Sequence, residues 1–203
     1  MSLRNSALIR SARPDDAIAI VEIYAPYVAE TPISLETAVP TPEQIGQRMA
    51  SLSPGYPWII YELGGEPKGY AYASPHSERA GYRWSANATV YVARGYHRQG
   101  IGRALYARLL GSLRRQGFHA VFGGITLPNA ASVGLHESCG FSPAGIYRQA
   151  GFKLGAWWDV GWWDCLLDEA AHEPVPPRAF SAELLEADGP LQLAQRNNWV
   201  WCR

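Results

Sequence analysis

The sequence has few cysteines, no excess of either charge and no long apolar run. Its three cysteines, Cys139, Cys165 and Cys202, lie far apart and form neither a C-x-x-C pair nor a metal-ligand cluster with the five histidines. Lys+Arg and Asp+Glu both number 18, which leaves no basic surplus for binding nucleic acid. No apolar run approaches the roughly 18 residues that span a bilayer, and the amino terminus has no apolar signal region. We therefore predict a cytoplasmic protein without a metal, a membrane or a nucleic acid as partner.

The remaining pattern predicts one α/β domain over residues 1–168, followed by a linker and tail over 169–203. A length of 203 residues fits one domain with a substantial core. Periodicity predicts strands at 7–12, 56–63, 68–74, 84–92, 120–125, 141–149 and 157–167, and helices at 13–32, 41–52, 101–116 and 129–139. After residue 181 we expect a weak helix or a tail. This order of elements implies a mixed sheet covered by helices.

Residues 97–102, His-Arg-Gln-Gly-Ile-Gly, join a strand directly to a helix. Gly100 and Gly102 would let an anion approach the backbone, and the unpaired N–H groups and the dipole of the helix start would attract it. Arg98 and Arg103 would add positive charge. The pattern predicts a pyrophosphate site, and the alternative is a glycine-rich turn with solvated arginines.

Details of this turn distinguish three kinds of phosphate site. A P-loop requires G-x-x-x-x-G-K-[ST], and a dinucleotide fingerprint requires a third glycine where Leu105 stands. The turn resembles the Q/R-x-x-G-x-G/A motif with which GNAT enzymes bind the pyrophosphate of acetyl-CoA, except that His97 replaces the first Gln or Arg. The resemblance assigns cofactor binding to the six residues of the turn: His97, Arg98, Gln99, Gly100, Ile101 and Gly102.

Several further segments resemble the phosphinothricin N-acetyltransferase branch of GNAT enzymes, in unbroken order from about residue 8 to about 168. They are residues 23–28, 34–37, 56–58, 69–73, 89–92, 127–137, 140–141, 148–153 and 157–163. The resemblance implies the GNAT fold, a central mixed β-sheet flanked by about four helices, and acetyl-CoA as cosubstrate. It further implies acetylation of the primary amine of a small amino-acid-like substrate, of the phosphinothricin, methionine sulfoximine or methionine sulfone type, by a homodimer.

The same resemblance assigns roles beside the acetyl group. It implies that the backbone of Val90, Tyr91 and Val92, on a strand that splays from its neighbour, holds the thioester and that an N–H near Tyr91 or Val92 stabilises the oxyanion. Both valines are equally consistent with a plain core strand. It also implies that Asn129 and Ser132 contact the pantetheine, although Asn129 is equally a good helix N-cap.

The implied acid and base groups depart from the family pattern at one position. Where the family has a glutamate, this chain has Asn87, which cannot accept a proton near neutrality but can orient a water or the amine. Deprotonation then falls to His136 or to a water chain. Tyr106 lies near the place of a tyrosine that protonates the leaving thiolate, and its alternative role is that of a core aromatic.

For substrate binding, the resemblance implies that Arg79 and Tyr82 hold anionic groups and that Leu35 and Glu36 lie on a loop over the pocket. It also suggests that Arg148 and Lys153 reach across from a partner subunit, with surface solvation as the alternative.

Two other functions remain open from the sequence. One is acetylation of a different amine, such as a polyamine, an antibiotic or a protein amino terminus. The other is a catalytically weak acyl-CoA-binding module, because the cofactor motif is present while one expected carboxylate is not.

Overall fold

The structure is a computed structural model that describes residues 7–169 and 172–186. Its strands and helices follow in the order β1 (Ala7–Ser11), α1 (Ala17–Glu30), α2 (Pro42–Leu52), β2 (Trp58–Leu63), β3 (Glu66–Pro75), β4 (Ser85–Val92), α3 (Ile101–Gln116), β5 (Ala120–Leu127), α4 (Ala130–Ser138), β6 (Ser142–Lys153), β7 (Ala156–Leu166) and α5 (Ala182–Glu186). Short 3₁₀ helices lie at Pro14–Asp16 and Ala80–Tyr82. The predicted order of strands and helices is confirmed, with ends that move by a few residues.

All seven strands form one sheet in the order β1-β2-β3-β4-β5-β7-β6. Every neighbouring pair is antiparallel except β4 and β5, which are parallel. The predicted mixed α/β sheet is therefore confirmed. The single parallel pair lies at the centre of the molecule.

Helices cover both faces of the sheet. On one face, α1 and α2 bury Ile20, Val28 and Ile45 against aromatic side chains of β2 and β3. On the other, α3 buries Leu105 and Leu109 among the other residues of the second core. Below, these are called the α1 face and the α3 face.

Local sequence signals set several of these ends as expected. Thr41 caps α2 by accepting a hydrogen bond from the Gln44 backbone N–H, and Gln44 accepts one from the Thr41 N–H in return. Gly117 closes α3 with a φ of 97°, a left-handed conformation that disfavours other residues. The Gly117 cap sets the end of the helix that begins at the predicted anion-binding turn.

Residues 172–186, predicted as linker and as the start of the tail, lie against the domain. Leu185 is buried in the α3-face core, and the Arg108 guanidinium donates to its carbonyl. The backbone N–H groups of Arg178 and Phe180 donate to the carbonyls of Gln116 and Pro54. Predictions for residues 187–203 lie outside the described residues, and the domain boundary at 168 stays a prediction. No helix within the described ranges is both long and apolar enough to cross a membrane.

Candidate active site

A gap opens in the centre of the sheet between β4 and β5. The two strands pair only where Ser85–Asn87 lies beside Ala120–Phe122, although β4 continues to Val92 and β5 to Leu127. Beyond that point β4 remains paired with β3, and β5 with β7. We call the gap between residues 88–92 and 123–127 the fork, and it confirms the splay implied by the resemblance.

The backbone of β4 presents polar groups to the fork. The Trp84 carbonyl accepts from the N–H groups of His119 and Ala120 at the start of β5, whereas the Ser85 carbonyl accepts from the His76 N–H on the β3 side. Because backbone groups alternate along a strand, those of Val90 and Val92 face the fork and those of Tyr91 face β3. Of the two residues proposed to hold the oxyanion, alternation therefore favours Val92.

The predicted anion-binding turn lies at the open end of the fork. Arg98 and Gly100 have φ values of 61° and 83°, so the chain alternates handedness there and turns successive N–H groups to one side, as in an anion-binding nest. Among the described residues, no acceptor bonds the backbone N–H groups of Ile101, Gly102 and Arg103, which form the first turn of α3. The turn therefore has both the shape and the free donors that a diphosphate requires.

The His97 side chain contacts Tyr27 of α1 and the end of β4. Its Nε2 lies 2.6 Å from the Tyr27 hydroxyl and 3.1 Å from the Val92 carbonyl oxygen, to which Tyr27 also donates. The histidine that departs from the motif thus ties the turn to the end of β4.

Tyr106 and His136 form a buried pair on the α3 face. The His136 Nδ1 lies 2.8 Å from the Ser132 carbonyl, which only accepts, so Nδ1 carries the proton and Nε2 accepts from the Tyr106 hydroxyl at 2.8 Å. Burial lowers the pKa of His136 and raises that of Tyr106. His136 is therefore neutral with both ring nitrogens engaged, and its role as proton acceptor stays a prediction.

The start of α4 lies beside the open fork. The Asn129 side chain accepts from the Ser132 N–H at 3.1 Å, so its alternative role as a helix N-cap is confirmed. Its proposed contact with pantetheine, and that of Ser132, stay predictions. Both residues follow β5 directly and lie near the end of the fork at Leu127.

Asn87 lies at the closed end of the fork and contacts a residue that sequence reasoning missed. The His76 ring nitrogen Nδ1 is 2.9 Å from the Asn87 side-chain oxygen, and the ring stacks on Phe122 with centroids 4.2 Å apart. The sequence contained one signal for this pair, because a β3–β4 hairpin places Ser74 opposite Asn87 and brings His76 within reach. The two residues together bring an imidazole to the last paired position before the strands separate.

Comparison with known proteins agrees with this geometry. Residues 9–162 match the Acetyltransferase (GNAT) domain family. The chain belongs to the GNAT family. Its predicted family, fold and acetyl-CoA-dependent N-acetyltransferase activity are thereby confirmed.

Named relatives place the chain near one group of GNAT enzymes. It is 38% identical to the phosphinothricin N-acetyltransferase of Streptomyces viridochromogenes, with 86% of this chain and 93% of that protein covered. It is 36% identical to the L-methionine sulfoximine/L-methionine sulfone acetyltransferase of Salmonella typhimurium, covering 80% and 96%. It superposes with a TM-score of 0.80 on the crystal structure of a GNAT phosphinothricin acetyltransferase from Sinorhizobium meliloti in complex with acetyl-CoA, at 29% identity and covering 84% and 94%. The predicted cosubstrate, acetyl-CoA, is confirmed by these GNAT relatives.

The residues predicted to bind the GNAT acceptor substrate lie on or near the α1 face. Glu36 accepts two hydrogen bonds from Arg48, at 2.7 and 2.9 Å, which hold the pKa of its carboxyl low, and a third from Tyr24. Leu35 packs on the backbone of Gly151 at the tip of the β6–β7 hairpin. The loop around residue 35 is therefore clamped between α2 and this hairpin.

The other predicted substrate residues differ in their surroundings. The Tyr82 ring lies 5.5 Å from His76, whereas Arg79 is exposed at the start of the short 3₁₀ helix. Lys153, expected to reach a partner subunit, is buried and donates to the Ser34 carbonyl of its own chain, while Arg148 is exposed. The structure thus places Tyr82 beside His76 and Lys153 against the clamped loop.

Proposed function

We propose that this protein acetylates the primary amine of a small amino-acid-like substrate of the phosphinothricin, methionine sulfoximine or methionine sulfone type. The observation that carries the proposal is the fork between β4 and β5, with the donor-rich turn 97–102 directly after β4. The named substrates of the relatives from Streptomyces viridochromogenes and Salmonella typhimurium support the acceptor class.

The fork and the turn divide the work of the reaction. The N–H groups of the turn hold the diphosphate of coenzyme A, and the thioester lies along β4, where the Val92 N–H faces the carbonyl oxygen and stabilises the oxyanion as the amine attacks. Tyr106, bonded to His136, is the proton source that we assign to the leaving thiolate.

The acceptor lies on the α1 face, against a cluster of aromatic rings from Tyr24, Trp58, Tyr72 and Tyr91 that we call the aromatic floor. Trp58 and Tyr72 stack with centroids 4.1 Å apart, and Tyr91 contacts Tyr24 at 4.7 Å. Arg79 and Tyr82 supply a guanidinium and a hydroxyl for the acidic groups of the substrate. The Glu36 carboxylate, kept ionised by Arg48, complements the substrate ammonium.

We further propose that the enzyme is a cytoplasmic homodimer joined through β6. This edge strand and the neighbouring β7 expose large apolar side chains, among them Ile146, Tyr147, Phe152 and Trp157. An uncovered apolar edge strand is a ready site for pairing with a second chain.

An acceptor panel tests the substrate class. Purified protein and acetyl-CoA are incubated with phosphinothricin, methionine sulfoximine, methionine sulfone, a polyamine, an aminoglycoside and a peptide with a free amino terminus, and thiol release is measured. We expect release with the first three compounds. Release confined to the others would replace the proposed acceptor, and coenzyme A binding without release would indicate a binding module.

A further inference from the structure

The proposed reaction requires a proton acceptor that Asn87 cannot provide. An amino-acid ammonium must lose a proton before its nitrogen can attack a thioester. The amide of Asn87 can orient a partner but cannot take up that proton near neutral pH. The side chains that contact Asn87 are therefore the candidates for the general base.

The Asn87 amide is held in one orientation by its neighbours. Its nitrogen donates to the Pro75 carbonyl at 3.1 Å, and because a carbonyl can only accept, the atom facing Pro75 must be the NH₂ group. The Asn87 oxygen therefore faces His76, 2.9 Å from Nδ1. An amide oxygen can only accept, so the proton on this nitrogen belongs to His76.

This contact fixes the tautomer of the His76 ring. With Nδ1 protonated, Nε2 of the neutral imidazole carries a lone pair. Within the described parts of the chain, no hydrogen-bond partner lies against Nε2. The ring thus has the protonation pattern of a general base whose second nitrogen is oriented by a fixed acceptor.

The His76 ring is held at the closed end of the fork. It stacks on Phe122, the residue beside Asn87 in the last paired position, and meets the Trp162 ring edge-on at 6.1 Å. Trp162 in turn packs over Gly124, which lies within the fork. Tyr82 is the titratable side chain in ring contact with His76.

His76 and His136 lie on opposite faces of the sheet. A side chain built on Gly123 would collide with the His136 ring, so Gly123 faces the α3 side. Since successive residues alternate, Phe122 and Gly124 face the α1 side, together with His76 and the aromatic floor. His76 is therefore on the face proposed for the amine, and His136 is behind the sheet.

We infer that His76, oriented by Asn87, is the general base of the acetyl transfer, an inference that rests on the proposed function. Nε2 takes one proton from the substrate ammonium, directly or through one water, and releases it to solvent after turnover. The amine nitrogen then forms a bond to the thioester carbon, and the carbon–sulfur bond breaks as the tetrahedral intermediate collapses. Tyr106 protonates the thiolate, which leaves as coenzyme A, and the remaining extra proton on nitrogen restores the Tyr106 hydroxyl.

The test replaces the basic nitrogen and keeps the contact with Asn87. In His76→Asn the amide NH₂ can still donate to the Asn87 oxygen, and His76→Phe keeps the stacking on Phe122. For the acceptor that the panel identifies, we expect each variant to lower kcat/KM roughly 10²- to 10⁴-fold. We also expect the acidic limb of the pH–rate profile to move to the higher pH at which the substrate ammonium itself loses its proton, while the Kd for coenzyme A measured by calorimetry stays unchanged. His172→Asn, at an exposed site, should match the wild type.

The outcomes separate this inference from the proposed function. A wild-type protein that transfers no acetyl group to any amine of the panel would overturn both. An active wild type whose folded, coenzyme A-binding His76 variants keep the acidic limb at its wild-type position would overturn the role of His76 alone. A shift of the limb in His136→Asn but not in His76→Asn would move the role to His136.

Discussion

Two histidines flank the central gap of the sheet, and their surroundings differ at the level of single atoms. His136 is 4% exposed, and both of its ring nitrogens are bonded to Tyr106 and Ser132. His76 has one nitrogen bonded to Asn87 and the other without a partner among the described residues. The buried ring is suited to holding Tyr106 in place, and the other ring is suited to exchanging a proton with a ligand.

The burial of His136 predicts a pH dependence of folding stability. Burial lowers its pKa in the folded state, so the unfolded chain binds a proton more readily and stability falls as the pH drops below the ordinary histidine pKa of about 6.5. His136→Asn should lose about 1–3 kcal/mol at pH 7.5, because the buried Tyr106 hydroxyl loses its acceptor. The free energy of unfolding of this variant should also fall less than that of the wild type between pH 7.5 and pH 5.0.

Urea unfolding at several pH values measures both effects. His172→Asn, which removes an exposed histidine, serves as the control and should follow the wild-type slope. An unchanged pH slope in His136→Asn would contradict the assignment of a lowered pKa.

The sequence predicted residue roles wherever the signal was local. Asn129 was expected to cap a helix, and it does so through a residue three positions away. The pairing of His76 with Asn87 was not predicted, because it depends on the register of β3 against β4 and on a departure from the family pattern. The burial of His136 was equally hidden, since it depends on how α4 packs against α3.

Among the elements, the turn before α3 and the start of that helix are the best-determined by sequence. A strand end, two glycines and a helix start within a few residues leave few conformations, and the structure has the expected one. The fork was expected only through family resemblance, because the amino-acid sequences of β4 and β5 do not show where the two strands stop pairing. The alternation of backbone groups along β4 then indicates that the N–H of Val92, rather than that of Tyr91, faces the fork.

The left-handed glycines of this region provide a matched pair of variants. Gly95 and Gly100 have φ values of 84° and 83°, and an added Cβ would meet no atom within 4 Å at either site. Alanine at each should therefore cost a similar 1–2 kcal/mol of folding stability, roughly the left-handed penalty of an L-residue.

Only Gly100→Ala should weaken coenzyme A binding, since Gly100 lies within the proposed diphosphate turn and Gly95 precedes it. A loss of about 1 kcal/mol of binding free energy corresponds to roughly a fivefold higher Kd for coenzyme A, which calorimetry measures. Equal weakening in both variants would show that the turn acts through stability rather than through contact with the diphosphate.

For the whole molecule, the sheet order could not be read from the sequence. The strand that follows β6 inserts between β5 and β6, and its pairing with β5 joins residues far apart in the chain, from Leu127 with Asp159 to Ala120 with Leu166. Non-local pairings of this kind depend on total burial rather than on any local signal. The number and order of elements were predictable, and the layout that creates the fork was not.

The exposed edge of β6 predicts the assembly state. At micromolar concentration the wild type should sediment as a dimer of 22.3 kDa chains, and the double change Ile146→Lys with Trp157→Lys should give monomers. Leu8→Lys places one lysine on the opposite edge strand, β1, and should leave the dimer intact. A monomeric wild type would refute the proposed dimer.

The segment around Leu185 affects how the activity of truncated variants of this enzyme should be interpreted. Its carbonyls at residues 178, 184 and 185 receive side chains of α3, the helix whose first turn holds the proposed diphosphate site. A truncation after β7 would keep every residue of the fork, but it would expose to water the side of α3 that this segment covers. A drop in catalytic rate after such trimming would then report a loosened scaffold, and it would carry no information about the chemistry of the fork.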